Sequence, residues 1–133
     1  MATLRVLGGE GQRAARVTEA LGIAPTSVSE VGEVVGPRGP RLRTRGLWML
    51  SSSTHPEMDV ELDASLRLLL DRLEPAAEQL WALAHEGYTM TWWCYLGSHA
   101  AEHAAQLDRL TLTRLLSVPG ELWLDVYPED GDG

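Results

Sequence analysis

The run Gly46-Leu47-Trp48-Met49-Leu50 constrains the fold of this chain more than any other stretch. It is short and apolar and carries no helical period. A basic segment punctuated by Pro and Gly (Gly36 to Arg45) precedes it, and the polar run Ser51-Ser52-Ser53-Thr54-His55-Pro56 follows it. An apolar run of this length between turn signals reads as a buried strand. It falls between a β-α-β pattern in the first third of the chain and a long helical stretch, which predicts a central strand in a sheet covered by helices.

The flanking segments fit that reading. Thr3–Leu7 is β-leaning and stops at Gly8-Gly9. From Glu10 to Leu21 the residues Ala14, Val17, Ala20 and Leu21 recur at helical spacing, Gly22 stands where a terminating glycine belongs, and Pro25 blocks continuation. Ser27–Val35 alternates and predicts a second strand. Gly36–Arg45 predicts a basic loop, and Gly46–Ser51 a third strand. Between Pro56 and Gly87, Leu62, Leu66, Leu69, Leu70 and Leu73 form one apolar stripe. Pro75 must break it, since proline has no amide hydrogen and crowds the preceding turn. A second stripe, Ala77, Leu80, Trp81 and Ala84, predicts another helix. Tyr88–Leu96 predicts a fourth strand, Thr111–Ser117 a short helix, and Glu121–Tyr127 a last strand. Gly97–Leu107 reads equally as loop or short helix. Residues 128–133 predict a frayed acidic tail. The order predicts an α+β fold: an antiparallel sheet with helices mainly on one face, a ferredoxin-like βαββαβ core and a C-terminal αβ unit.

Composition narrows the function classes. A chain of 133 residues suits a single domain over residues 1–133 that needs no metal or disulfide staple. The formal net charge of −8 argues against a broad phosphate-binding surface, hence against nucleic acid, and suits a basic partner. The single cysteine, Cys94, excludes an internal disulfide and fits a reducing compartment. The first residues lack the apolar core of a signal peptide, and no apolar run approaches a membrane span of about 20 residues. The expected location is the cytoplasm.

Several short stretches also carry a resemblance. Leu21-Gly22-Ile23-Ala24-Pro25-Thr26, Gly32-Glu33 and the run Thr44 to Ser52 are similar to the signature of the bacterial domain-of-unknown-function family 4279. Leu73-Glu74-Pro75, Glu86-Gly87-Tyr88 and Leu122-Trp123-Leu124-Asp125-Val126-Tyr127 fit the same pattern. The resemblance spans nearly the whole chain and implies a small bacterial α+β domain. It assigns no activity, so no catalytic residue and no cofactor is carried over. The chain departs from the family pattern between Gly97 and Leu107, where Ser98 to Ala104 replaces a turn richer in Gly and Asn.

Three constellations could carry chemistry. His99-Ala100-Ala101-Glu102-His103 would, on a helix, hold two imidazoles one turn apart with Glu102 as a base, a spacing that can bind zinc in a small hydrolase. Two solvated histidines on a surface helix explain the same residues without a metal. Arg38, Arg41, Arg43 and Arg45 form a cationic patch that could clasp an anionic ligand in a sensor. Its bland counterpart is pairing at home with the stretch Glu57 to Glu86, where eight acids meet two arginines. Finally, Trp93, Tyr95, Trp123 and Tyr127 share one parity in two predicted strands. On a bare sheet face they would form an aromatic binding patch, and under a cover they would be core. Cys94 reads as a buried thiol.

The reading favoured by these residues is a non-enzymatic, protein-binding domain, immunity-like in size and charge. It would use the aromatic face (Trp93, Tyr95, Trp123, Tyr127) or the acidic helical surface, with a homo-oligomer as a further possibility. The zinc hydrolase and the anion sensor stand as alternatives.

Overall fold

The computed structural model describes residues 1–37, 41–53, 61–96 and 106–126. The chain runs β1 (Ala2–Leu7), α1 (Ala14–Leu21), β2 (Ser27–Ser29), β3 (Val34–Val35), β4 (Arg41–Leu42) and β5 (Leu47–Ser51). It continues through α2 (Leu62–Leu73), a 3-10 turn (Glu74–Ala76), α3 (Ala77–Glu86), β6 (Thr89–Leu96), α4 (Arg109–Leu116) and β7 (Glu121–Val126). The five longer-range strands form one sheet in the order β2-β5-β1-β6-β7.

This is an α+β fold, with one correction to the expected antiparallel sheet. β2, β5, β1 and β6 pair antiparallel, but β7 runs parallel to β6. The reason is the connection. Adjacent parallel strands need a crossover, and α4 supplies it. A second correction concerns Ser27–Val35. It is two strands, because the chain turns at Val31-Gly32 and β3 pairs in a separate two-stranded sheet with β4, which lies inside the expected loop.

Alternation along each strand decides what the helices cover. Ala2, Leu4 and Val6 of β1, Trp48 and Leu50 of β5, and Met90, Trp92, Cys94 and Leu96 of β6 are all buried. Against them lie Ala14, Val17 and Leu21 of α1, the full expected stripe of α2, and Leu80 and Leu83 of α3. Each fully buried side chain of this size contributes about 1.5–3 kcal/mol, so this layer holds the fold. The two core indoles keep their N–H groups bonded: Trp48 Nε1 donates to Thr18 Oγ1 at 3.1 Å, and Trp92 Nε1 to the Pro119 carbonyl at 3.0 Å. The expected break at Pro75 is the 3-10 turn, after which the helical axis resumes. Trp81, expected in the second stripe, is 42% exposed, and Leu83 takes the inward place.

The start of α1 differs from expectation for a local reason. Gly8 to Gln12 forms a tight turn, with the Gln12 amide donating to Gly9 O at 3.0 Å, so the helix begins at Ala14. Its residue Arg13 makes no side-chain cap. Glu30 caps it from a distance instead, accepting from Ala14 N at 2.8 Å and Ala15 N at 2.9 Å. Gly22 ends the helix at φ 67, the left-handed conformation expected of it.

Gly46, which opens the constraining stretch, lies where β5 passes the entry to α1. Its amide donates to Gln12 O at 2.8 Å, and Gly8 N donates to its carbonyl at 2.9 Å. A β-carbon there would collide with Ala14 N and sit 2.8 Å from Arg13 C and 2.9 Å from Gln12 O, all backbone atoms. Gly46→Ala should therefore destabilise the protein by about 1–3 kcal/mol, the usual cost of overpacking. A lowered urea midpoint at constant slope checks it, and an unchanged midpoint refutes the contact.

The Glu30 cap carries a pH signature. Burial pushes its carboxyl upward, but hydrogen bonds from the Val31, Ala14 and Ala15 amides and the nearby Arg13 charge outweigh it and hold it below its ordinary value of 4.5. A group depressed in the folded state stabilises fully above its unfolded pKa and loses that contribution as the pH falls through the folded value. Glu30→Ala should cost about 0.5–2 kcal/mol near neutral pH, the worth of a helix cap. The gap between wild type and variant should close as the pH drops below 4.5. Urea midpoints across that range test this; a gap that widens in acid contradicts it.

Candidate functional site

The side of the sheet away from the helices is built from the alternate residues of the same strands. β1 contributes Thr3 and Arg5, β5 Met49 and Ser51, β6 Thr91, Trp93 and Tyr95, and β7 Glu121, Trp123 and Asp125. Pairing fixes who meets whom. Thr3 stands opposite both Ser51 and Trp93, and Trp93 opposite Trp123. Thr3 and Ser51 join their hydroxyls at 2.8 Å, which satisfies a threonine only 4% exposed.

Trp93 is the centre of this face. From the β7 side, the Trp123 ring lies 5.1 Å from it between centroids at 31°. Along β6, the Tyr95 ring lies 6.1 Å away at 34°. From the β1 side, the Arg5 guanidinium sits over the indole, 5.0 Å from its centroid. Such aromatic and cation–π contacts add about 0.5–1.5 kcal/mol each beyond area burial. Both indole N–H groups are tied to carboxylates: Trp93 Nε1 donates to Asp125 Oδ2 at 3.1 Å and Trp123 Nε1 to Glu121 Oε2 at 3.1 Å. Trp93 and Tyr95 are half-buried, while Trp123 is 48% exposed. Among the described residues the result is an aromatic cluster with the Arg5 cation over its centre and the Glu121 and Asp125 carboxylates of β7 beside it.

Of the residues singled out in the sequence, the fold thus brings Trp93, Tyr95 and Trp123 together. Tyr127 and Arg38 lie outside the described residues, as do His99, Glu102 and His103. Among the described residues no cluster of three or more His, Cys, Asp or Glu side chains could hold a metal ion. Arg41 is exposed on β4. Arg43 lines an open groove of about 350 Å³ with Glu10, Gly11, Val31, Gly32, Leu42 and Thr44. Glu10 brings a carboxylate to that groove, held to Thr44 Oγ1 at 3.3 Å. Arg45 donates from Nε to the Gly8 carbonyl at 2.8 Å, so its fork is partly engaged by the chain itself.

Four acids of the helical surface are paired with arginines. Arg114 grips Glu74 at 2.6 Å and Asp71 at 2.7 Å, Arg67 pairs with Asp63 at 2.9 Å, and Arg16 pairs with Glu86 at 2.8 Å. Hydrogen bonds from Arg16 hold the Glu86 carboxyl below its ordinary value. The nearby Thr111 hydroxyl and the Asp108 amide, which donates to Asp63 Oδ1 at 2.8 Å, do the same to Asp63. The sequence pointed to pairing with the Arg38–Arg45 segment; for Asp63, Asp71, Glu74 and Glu86 the partners come from α1, α2 and α4. Two contributors to the aromatic face went unrecognised, Arg5 and Glu121. Parity alone would have placed Arg5 opposite the core side of β1, but only the β1–β6 register puts it over Trp93.

With this geometry in place, comparison with known proteins adds one result. The family model for the domain of unknown function DUF4279 matches residues 1–129. The chain belongs to this family. No curated protein and no solved structure matches it. No helix of this DUF4279 chain among the described residues is long and apolar enough to cross a membrane.

Cys94 faces the helical layer with no solvent exposure, and burial pushes its thiol up to about 12. A thiol held protonated is a poor nucleophile. Cys94 should react with an aromatic disulfide reagent only through unfolding at neutral pH, the rate rising steeply with urea. Rapid labelling of the native protein would show the thiol to be accessible.

Proposed function

We propose that this domain binds another protein across the face of its sheet opposite the described helices, with Trp123 and Trp93 as anchors. The observation that carries the reading is that Trp123 is 48% exposed while stacked at 5.1 Å on a half-buried neighbour. An indole held rigid yet accessible loses little conformational freedom on binding, which is why tryptophan dominates interface energetics. Glu121 and Asp125 beside the rings suit a cationic side chain from the partner, such as an arginine laid on Trp123 with its fork on a carboxylate. The net charge of −8 would steer a basic partner toward this domain. The acidic helical surface is the weaker candidate, because Asp63, Asp71, Glu74 and Glu86 already have partners. Binding to a basic toxin remains one concrete form of this function.

The test is affinity after a partner has been captured and purified. Trp123→Ala should weaken the complex by at least about 30-fold, the loss typical of a hot-spot residue. Trp93→Ala should weaken it as well, with urea midpoints measured to separate binding from stability. Glu121→Gln should lower the association rate and its dependence on salt. Unchanged affinity in both tryptophan variants would remove the face from consideration.

A further inference from the structure

β7 is an edge strand whose inner side is only partly covered. Leu122, Leu124 and Val126 point toward the helical side, in register with buried Trp92, Cys94 and Leu96 of β6. Yet they are 38%, 56% and 49% exposed. In α4, Thr111 and Leu115 turn to the core and Arg114 reaches sideways to Asp71 and Glu74 of α2. Helical periodicity then puts Leu112 and Leu116 on the flank of α4 turned away from Arg114 and α2. They are 44% and 83% exposed. Leu122, Leu124 and Val126 therefore form an apolar row on a strand with no neighbour on its outer side among the described residues.

Natural edge strands are usually blunted by shortness, proline, a bulge or an inward-pointing charge. The opposite edge, β2, is only three residues long. β7 has six residues, no proline and no basic residue, and both of its acids lie on the other face. Its sequence is also self-complementary. In an antiparallel pair, residues directly opposite share a face. With Leu124 opposite Leu124 of a second copy, Leu122 meets Val126, and Trp123 meets Asp125. The apolar ladder is then continuous and the carboxylates stand apart. Shifting the axis to Trp123 would bring Glu121 opposite Asp125, like charges face to face, which is destabilising.

We infer that two copies of this chain pair edge to edge through β7, antiparallel, about a two-fold axis at Leu124. The occupant is a second copy because a two-fold contact requires one patch to match itself, and this strand does so in charge and in apolar pattern. The second copy's Leu122, Leu124 and Val126 would then stand beside those of the first and remove part of this apolar row from water. This inference stands on the helical side of β7 and is separate from the binding proposed for the opposite face.

The test uses the full chain. Light scattering on a sizing column should give a dimer whose fraction falls on dilution, and Leu124→Glu should convert it to monomer with unchanged circular dichroism. Leu124→Cys should form an intermolecular disulfide under mild oxidation, since directly opposite residues bring their Cα atoms within disulfide range. The buried Cys94 should give wild type no such product. Trp123→Cys, off the axis, should cross-link far less. If Leu124→Glu fails to fold, the cysteine variants decide alone. A wild type monomeric at every concentration overturns the inference, including the case in which β7 instead takes a strand from a different protein. A dimer untouched by Leu124→Glu, or one that cross-links at 123 rather than 124, overturns it equally.

Discussion

Leu4 stands at the middle of the central strand, directly opposite Leu50 on one side and Trp92 on the other, with no exposure to solvent. That three-way contact is the point from which both layers are laid out. It fixes the register of β1 against β5 and β6, and a slip of one residue would turn every alternate side chain to the wrong face. Because register is set there, Trp48, Leu50, Trp92 and Cys94 all turn to the helices. Thr3, Arg5, Trp93 and Tyr95 turn the other way. The helical layer follows from the need to cover the first set, and the second set forms the aromatic face opposite the described helices.

Neighbouring residues show how sharp this division is. Trp92 and Trp93 are adjacent in sequence and chemically identical, yet one bonds the Pro119 carbonyl inside the core and the other bonds Asp125 on the open side. The choice between core and patch for these aromatics could not be made from composition. It depended on whether anything covered the second face, which is a property of helix placement. Parity along Tyr88 to Leu96 was legible, and so were the stripe of α2, the stop at Gly22 and the break at Pro75, since each rests on local periodicity or local stereochemistry.

What the sequence hid were relations between distant segments. Glu30 caps α1 from sixteen residues beyond Ala14, a role no local capping pattern signals. The parallel pairing of β7 came from the return path through α4, and the arginine partners of the acidic surface came from α1, α2 and α4 in three dimensions. Gly46 illustrates a middle case. Its place before an apolar run marked a turn, while the close passage of α1's backbone that excludes any side chain there is visible only in the fold.

The two sides of β7 pose different physical problems, and one strand answers both. On the open side Trp123 leans on Trp93, and its N–H is held by Glu121, so its accessible ring is fixed without being covered. On the helical side the core simply ends too soon: α4 is a short helix of eight residues, and its inward residues Thr111 and Leu115 reach the core while Leu122, Leu124 and Val126 stay partly wet. The helical-side pattern of β7 remains apolar nonetheless, although a strand meant to face water there would cost less with polar residues at all three positions. Retaining apolar groups at an uncovered edge is stabilising only if something else removes them from water. If β7 pairs with its own copy, the same contact extends the five-stranded sheet across the axis. The two aromatic platforms would then lie on one continuous surface, and a partner with two cationic contacts could engage both at once, gaining from the high effective concentration of the second site.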